Sequence, residues 1–179
     1  MTTLPPAEIG MSLEDVDTPA LLLNLDAFER NMDHMAKALE ETSLKIRPHS
    51  KSHKCAIIGL EQMARGAVGL CCQKVGEAEA MVAGGVHNVL ISNQIVGRSK
   101  LLRLAALTKQ ADWIGVCADH PDNVGQLSEA AAAMGTVINV LVEIDTGAAR
   151  CGVAVGQPAV DLAKQIDFAT NLNFAGLQA

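Results

Sequence analysis

Short, uniformly apolar runs recur along the chain, and each gives way to a longer stretch with helical spacing of its apolar residues. The runs are Leu44–Arg47, leading into Pro48-His49-Ser50-Lys51, then Ala67–Cys72, Asn88–Ser92, Trp113–Ala118, Val137–Ile144 and Phe174–Leu177. Runs this short and this apolar suit strands covered on both faces, as in parallel sheets. The stretches between them, Glu77–Ala83, Lys100–Lys109, Asn123–Met134 and Ala159–Ala169, are rich in Ala, Leu, Glu and Gln and predict crossover helices. Gly84-Gly85 and Gly135 fall where a left-handed residue closes a helix. Ahead of all these, Pro19–Leu25 predicts a further strand, with Asp26 capping a helix from Ala27 to about Glu40.

Six strands joined by helices imply an α/β fold with a parallel sheet, either open and doubly wound or closed as a (β/α)8 TIM-type barrel. Periodicity alone leaves both open. No Gly-x-Gly-x-x-Gly opens a helix after the first strand, which counts against a dinucleotide-binding fold. Residues 1–18 are assigned to an N-terminal extension and 19–179 to the α/β body. With 49% hydrophobic and 19% charged residues over 179 positions, the composition is that of one globular core. A net charge of −6 with no Lys or Arg run argues against nucleic acid or an anionic membrane surface as partner. Met1–Met11 is polar and proline-bearing rather than a secretory leader, and no segment has the roughly 20 apolar residues of a membrane span, so a cytoplasmic location is expected. The odd cysteine count, five, with most of them inside apolar runs, favours reduced core thiols over disulfides.

Parallel α/β folds place active sites at the carboxyl ends of their strands. The residues there are Lys51, Gln73, Asn93, Asp119, Asp145 with Arg150, and Gln178. For Asn93 and Asp119 the simpler expectation is that they cap the following helix. The segment Arg47–Lys54 gathers basic and titratable side chains in an otherwise acidic protein. One reading is a solvated basic loop. The sharper one is a Lys51 amine partly withdrawn from water among cations, its pKa lowered and its lone pair free for Schiff-base chemistry. A zinc site on His49 and His53 lacks a third ligand nearby. Cys71-Cys72 continues a strand and forms no redox or metal motif.

Four segments together resemble the D-threonine aldolase-like family, relatives of the alanine-racemase barrel enzymes. They are Arg47–Cys55, the Cys71-Cys72-Gln73-Lys74-Val75-Gly76-Glu77-Ala78 stretch, Glu143–Gly152 and Phe174–Ala179. The resemblance runs from about Met11 to the last residue. It implies a partial (β/α)8 barrel with about six of eight strands, and pyridoxal 5'-phosphate attached to Lys51. It also implies Arg150 beside the cofactor's phenolic oxygen and Gln73 near the cofactor. The implied reaction is cleavage of D-configured 3-hydroxy amino acids, D-threonine or 3-hydroxyaspartate, to glycine and an aldehyde. A dehydratase-like lyase, or a carrier of pyridoxal phosphate without turnover, is the alternative. The family pattern further implies a homodimer, a small amino-acid substrate and a divalent metal, manganese or magnesium, with no ligands in this chain. The rest of the barrel and a C-terminal β domain would lie beyond Ala179, so the chain is expected to be a fragment, inactive alone.

Overall fold

The structure, a computed structural model, describes residues 5–179. Two compact units divide the chain, one ending at Glu40 and the other Glu41–Ala179. In the first, a 3-10 turn Leu13–Asp15 precedes helix α1, Leu25–Leu39. The Asn24 side chain accepts the Ala27 N–H at 2.9 Å, so Asn24 is the cap and Asp26 sits in the first turn, favoured by the helix dipole. The strand expected over Pro19–Leu25 does not form. Residues 20–24 are unpaired, and the Asn24 cap draws Leu25 into the helix.

The second unit runs α2 (Ala56–Ala64), β1 (Leu70–Cys72), α3 (Val75–Ala83), β2 (Asn88–Gln94), α4 (Arg98–Leu107), β3 (Trp113–Ala118), α5 (Pro121–Met134), β4 (Ile138–Glu143), α6 (Gln157–Phe168) and β5 (Leu172–Gln178). The strands form one sheet in the order β1-β2-β3-β4-β5, and every pair is parallel. Each strand lies beside its sequence neighbour, so the order never reverses as a doubly wound sheet requires. Helices α2 to α6 pack each on the next, and α3 to α6 share one core with alternate strand residues such as Leu70, Val89, Ile114, Val140 and Leu172. The opposite face carries the register row Cys71, Leu90, Gly115, Asn139, Asn173. There Asn173 Nδ2 donates to Asn139 Oδ1 at 2.8 Å, and Asn139 Nδ2 donates to the Ile114 carbonyl at 2.9 Å. One helical layer outside and a partly polar face inside make this sheet part of a TIM-type barrel.

The first expected strand is corrected by the structure. Ile46, Pro48 and Ser50 exchange backbone bonds with Val68 and Cys71, but only His49 and Cys71 form a bridge. Pro48 has no N–H to give, so the ladder is interrupted and the segment runs beside β1 as an irregular edge. Helix α2 was not predicted: Ile57, Ile58 and Gly59 are weak helix formers. Gly59 is what lets α2 approach the sheet, since a Cβ there would lie 2.4 Å from Leu70 Cδ1. Helix α5 begins earlier than expected because His120 caps it and Pro121 suits its first turn. No helix among the described residues is long and apolar enough to cross a membrane.

Candidate active site

A cavity of about 440 Å³ opens at the carboxyl ends of the strands, within the range of roughly 300–1,000 Å³ usual for small-molecule sites. It is lined by Lys51, Gln73 and Arg150 together with His49, Ser92, Asn93, Gln94, Glu143, Cys151, Gln178 and Ala179. The three residues singled out from the sequence therefore meet at one place.

Lys51 is set by Ser50, which is 1% exposed. The Ser50 hydroxyl donates to the Cys71 carbonyl at 2.9 Å and lies 3.2 Å from Cys72 Sγ, while its N–H donates to the same carbonyl. Lys54 closes the turn by donating its N–H to the Ser50 carbonyl at 2.7 Å, in a left-handed conformation (φ 52°) that a lysine rarely adopts. The expected cluster of cations does not survive in this form. Arg47 lies at the other end of the sheet, where its Nη1 donates to Asn88 Oδ1 at 2.7 Å and its guanidinium stacks 5.0 Å from the Trp113 ring centre. Two extended residues separate Arg47 from Ser50, enough to carry it roughly 7–10 Å down the strand direction. Lys51 and Lys54 are exposed rather than withdrawn from water. His49 remains beside Lys51, and burial first, then the Lys51 charge, holds its imidazole below the usual histidine range. Its Nδ1 accepts the Lys51 N–H at 3.3 Å and its Nε2 faces Ser92 Oγ at 3.5 Å.

Gln73 follows β1, and its N–H donates to Glu77 Oε2 at 2.7 Å, tying it to the first turn of α3. Asn93 Nδ2 reaches the Gln73 carbonyl at 3.5 Å. Neither Asn93 nor Asp119 caps a helix: the cap positions of α4 and α5 are Gly97 and His120. Asp119 instead accepts the Gly152 N–H at 2.9 Å, and Asp145 accepts the Gly147 and Ala149 N–H groups at 2.9 and 3.1 Å. Those backbone donors hold the Asp145 carboxyl below the usual range. Both aspartates thus shape the loop that presents Arg150. Gly152 is required in that loop, because at φ 105° a Cβ would stand 2.4 Å from the Asp145 nitrogen.

All five cysteines are free thiols. Burial pushes the Cys72 thiol up to about 11, and burial followed by Glu143 raises that of Cys117 further, in line with strand packing rather than nucleophilic use. Sequence reasoning missed Ser92, Gln94, Glu143 and Cys151 as cavity residues. The legible signal was Glu143, a lone charge inside an apolar run. Gln94 carried none, because it reaches the site through a register shift after Ile91 that periodicity does not reveal.

The donor set suits an anionic, carbonyl-bearing cofactor. Among the described residues neither the Lys51 amine nor the Arg150 guanidinium has an ion-pair partner, and a guanidinium offers a fixed, permanently charged fork. A metal ion is less well served: the described residues hold no group of three or more His, Cys, Asp or Glu side chains placed to bind one.

The family model for the alanine racemase N-terminal domain matches residues 23–179. A D-threonine aldolase from Arthrobacter sp is 46% identical over 98% of the chain and 46% of its own length. A 3-hydroxy-D-aspartate aldolase from Paracoccus denitrificans is 42% identical over 97% of the chain and 45% of its own length. The crystal structure of D-threonine aldolase from Filomicrobium marinum superposes with a TM-score of 0.94 at 55% identity, covering 98% of this chain and 47% of that one. The chain thus spans about half the length of the relatives it matches.

Proposed function

We propose, because the chain belongs to the alanine racemase N-terminal domain family, that its cavity holds pyridoxal phosphate on Lys51 and serves a lyase that cleaves D-configured 3-hydroxy amino acids to glycine and an aldehyde. The observation that carries this reading is the convergence of Lys51, Gln73 and Arg150 on one cavity at the carboxyl ends of the strands. The similarity to two aldolases of D-amino acids supports the reaction type.

When bound, the cofactor supplies an electron sink for the pair left behind as the Cα–Cβ bond breaks. The chain's own residues bind and orient. Lys51 offers the amine that attaches the cofactor's carbonyl. Arg150, fixed by the Asp119 and Asp145 loop, places a permanent positive charge against the anionic ligand. Gln73, tied to α3 by Glu77, contributes an amide at the rim. His49, kept neutral by burial and by Lys51, can donate from Nε2 without adding a second charge beside the amine. The same reading assigns the protein to the cytoplasm and to a homodimer acting on a small amino acid.

Product analysis tests it. The full-length protein that contains this chain, supplied with pyridoxal phosphate and D-threonine, is expected to release glycine and acetaldehyde in equal amounts. Ammonia with 2-oxobutanoate would mark a dehydratase, and neither product pair would leave cofactor carriage alone. Lys51→Ala should remove the cofactor linkage and slow cleavage by orders of magnitude, because the covalent route is lost.

A further inference from the structure

The segment that ends in Lys51 lies at the edge of the sheet with few backbone bonds to hold it. Toward β1 the Ile46 and Pro48 carbonyls accept from Val68 and Cys71 at 3.0 and 2.7 Å, and the Ser50 N–H donates to the Cys71 carbonyl at 2.8 Å. Pro48 has no N–H to add to them. A side chain supplies a longer tie. Arg47 reaches past β1 altogether: its Nη1 donates to Asn88 Oδ1, on β2, at 2.7 Å, and its guanidinium lies 5.0 Å from the ring centre of Trp113, on β3. Asn88 and Trp113 are register partners, so one side chain meets both strands at the same level.

Two glycines clear the way. Gly69 precedes β1, and a Cβ there would stand 2.5 Å from Arg47 Nη1. Gly115 lies two residues beyond Trp113, and a Cβ there would overlap the indole ring. Arg47 is half-buried, and among the described residues no carboxylate forms an ion pair with it. A charge partly withdrawn from water without an opposite charge lowers stability, and an uncharged residue would fill this space more favourably. What the guanidinium adds is reach and geometry, a planar group that donates at its edge and stacks on an aromatic face. We propose that Arg47 is a positioning residue, which straps the irregular segment 44–50 across β1 to β2 and β3 and so fixes the turn that presents Lys51. The inference rests on the function proposed above, in which Lys51 carries the cofactor.

Arg47→Met keeps an unbranched side chain and removes the charge and the donors. In the full-length protein that contains this chain, two quantities are measured. The first, taken without cofactor, is hydrogen exchange at the Ser50 and Lys54 amides, whose bonds to the Cys71 and Ser50 carbonyls hold the turn. The second is kcat and KM for cleavage of D-threonine by cofactor-loaded protein, at a temperature where every variant is folded. In Arg47→Met, exchange at both amides is expected to rise about tenfold or more, and kcat to fall about tenfold or more with KM little changed. Val124→Ala, in the buried face of α5 and outside the strap, is the control for general loss of stability. It is expected to lower Tm and leave both quantities within about twofold. Folded Arg47→Met with either exchange or kcat within about twofold of the unaltered protein overturns the strap, and so does a Val124→Ala control that matches it. If Arg47→Met does not fold, Asn88→Leu, which removes the acceptor and leaves Arg47 in place, is read by the same criteria. Unaltered protein that carries no pyridoxal phosphate on Lys51 overturns the function proposed above, whereas the exchange measurement needs no cofactor and still decides whether Arg47 holds the turn.

Discussion

Cys151 and Cys72 lie close to the same site and should behave oppositely toward a thiol reagent. Cys151 is half-buried and lines the cavity, whereas the Cys72 thiol, raised to about 11 by burial, is ionised to only about one part in a thousand at pH 8. Iodoacetamide at pH 8 should therefore label Cys151 in the native protein and spare Cys72 and Cys117, with bound cofactor slowing the Cys151 reaction. Peptide mass spectrometry reads this directly, and equal labelling of Cys72 would contradict it. The histidines set a second residue-scale expectation. Burial lowers the pKa of both His49 and His53 relative to an unfolded chain, so the unfolded state binds protons more readily. The stability they contribute is complete above about pH 6.5 and is lost as the pH falls through their folded values. Thermal melts should show Tm dropping between pH 7 and 5, with a shallower drop in His53→Asn. Gly152→Ala, which forces a Cβ onto the Asp145 nitrogen, should cost more than about 1 kcal/mol in urea unfolding and weaken ligand binding through Arg150. The convergence of Lys51, Gln73 and Arg150 on one cavity was legible in the sequence, from strand-end position together with the family resemblance. Glu143 carried a signal that went unread, a lone charge inside an apolar run, whereas Gln94 carried none, because its place depends on a register shift.

At the level of elements, alternation of apolar runs with helix-forming stretches located β1 to β5 and α3 to α6 to within a few residues. The failures share a physical cause: single side chains overrode pattern. Pro48 withholds the N–H that would have completed an edge strand, so an apolar run became an irregular segment. Gly59 and its β-branched neighbours hid α2, whose formation depends on packing against Leu70 that no local propensity expresses. Asn24 shifted the start of α1 ahead of Asp26. That last point is open to test: Asn24→Ala should destabilise α1 by about 1 kcal/mol, followed by hydrogen exchange over residues 25–39, whereas Asp26→Asn should cost only a few tenths.

For the molecule as a whole, periodicity implied a parallel α/β sheet but not whether it was open or part of a barrel, and the expectation of a barrel came from the family resemblance. The unbroken strand order and the single helical layer settle that choice, because closure is a property of how every strand finds its neighbour and no local stretch encodes it. The same arrangement gathers residues from the ends of β1, β2, β4 and β5 and from two loops into one cavity, and the account stands on what Lys51 does there. The most direct measurement is borohydride reduction of the cofactor-loaded full-length protein followed by peptide mapping, since reduction fixes the cofactor to the lysine that holds it. The account predicts the added pyridoxyl mass on Lys51 and none in Lys51→Ala. Mass found on Lys54 or another lysine, with Lys51 unmodified in active protein, would contradict it.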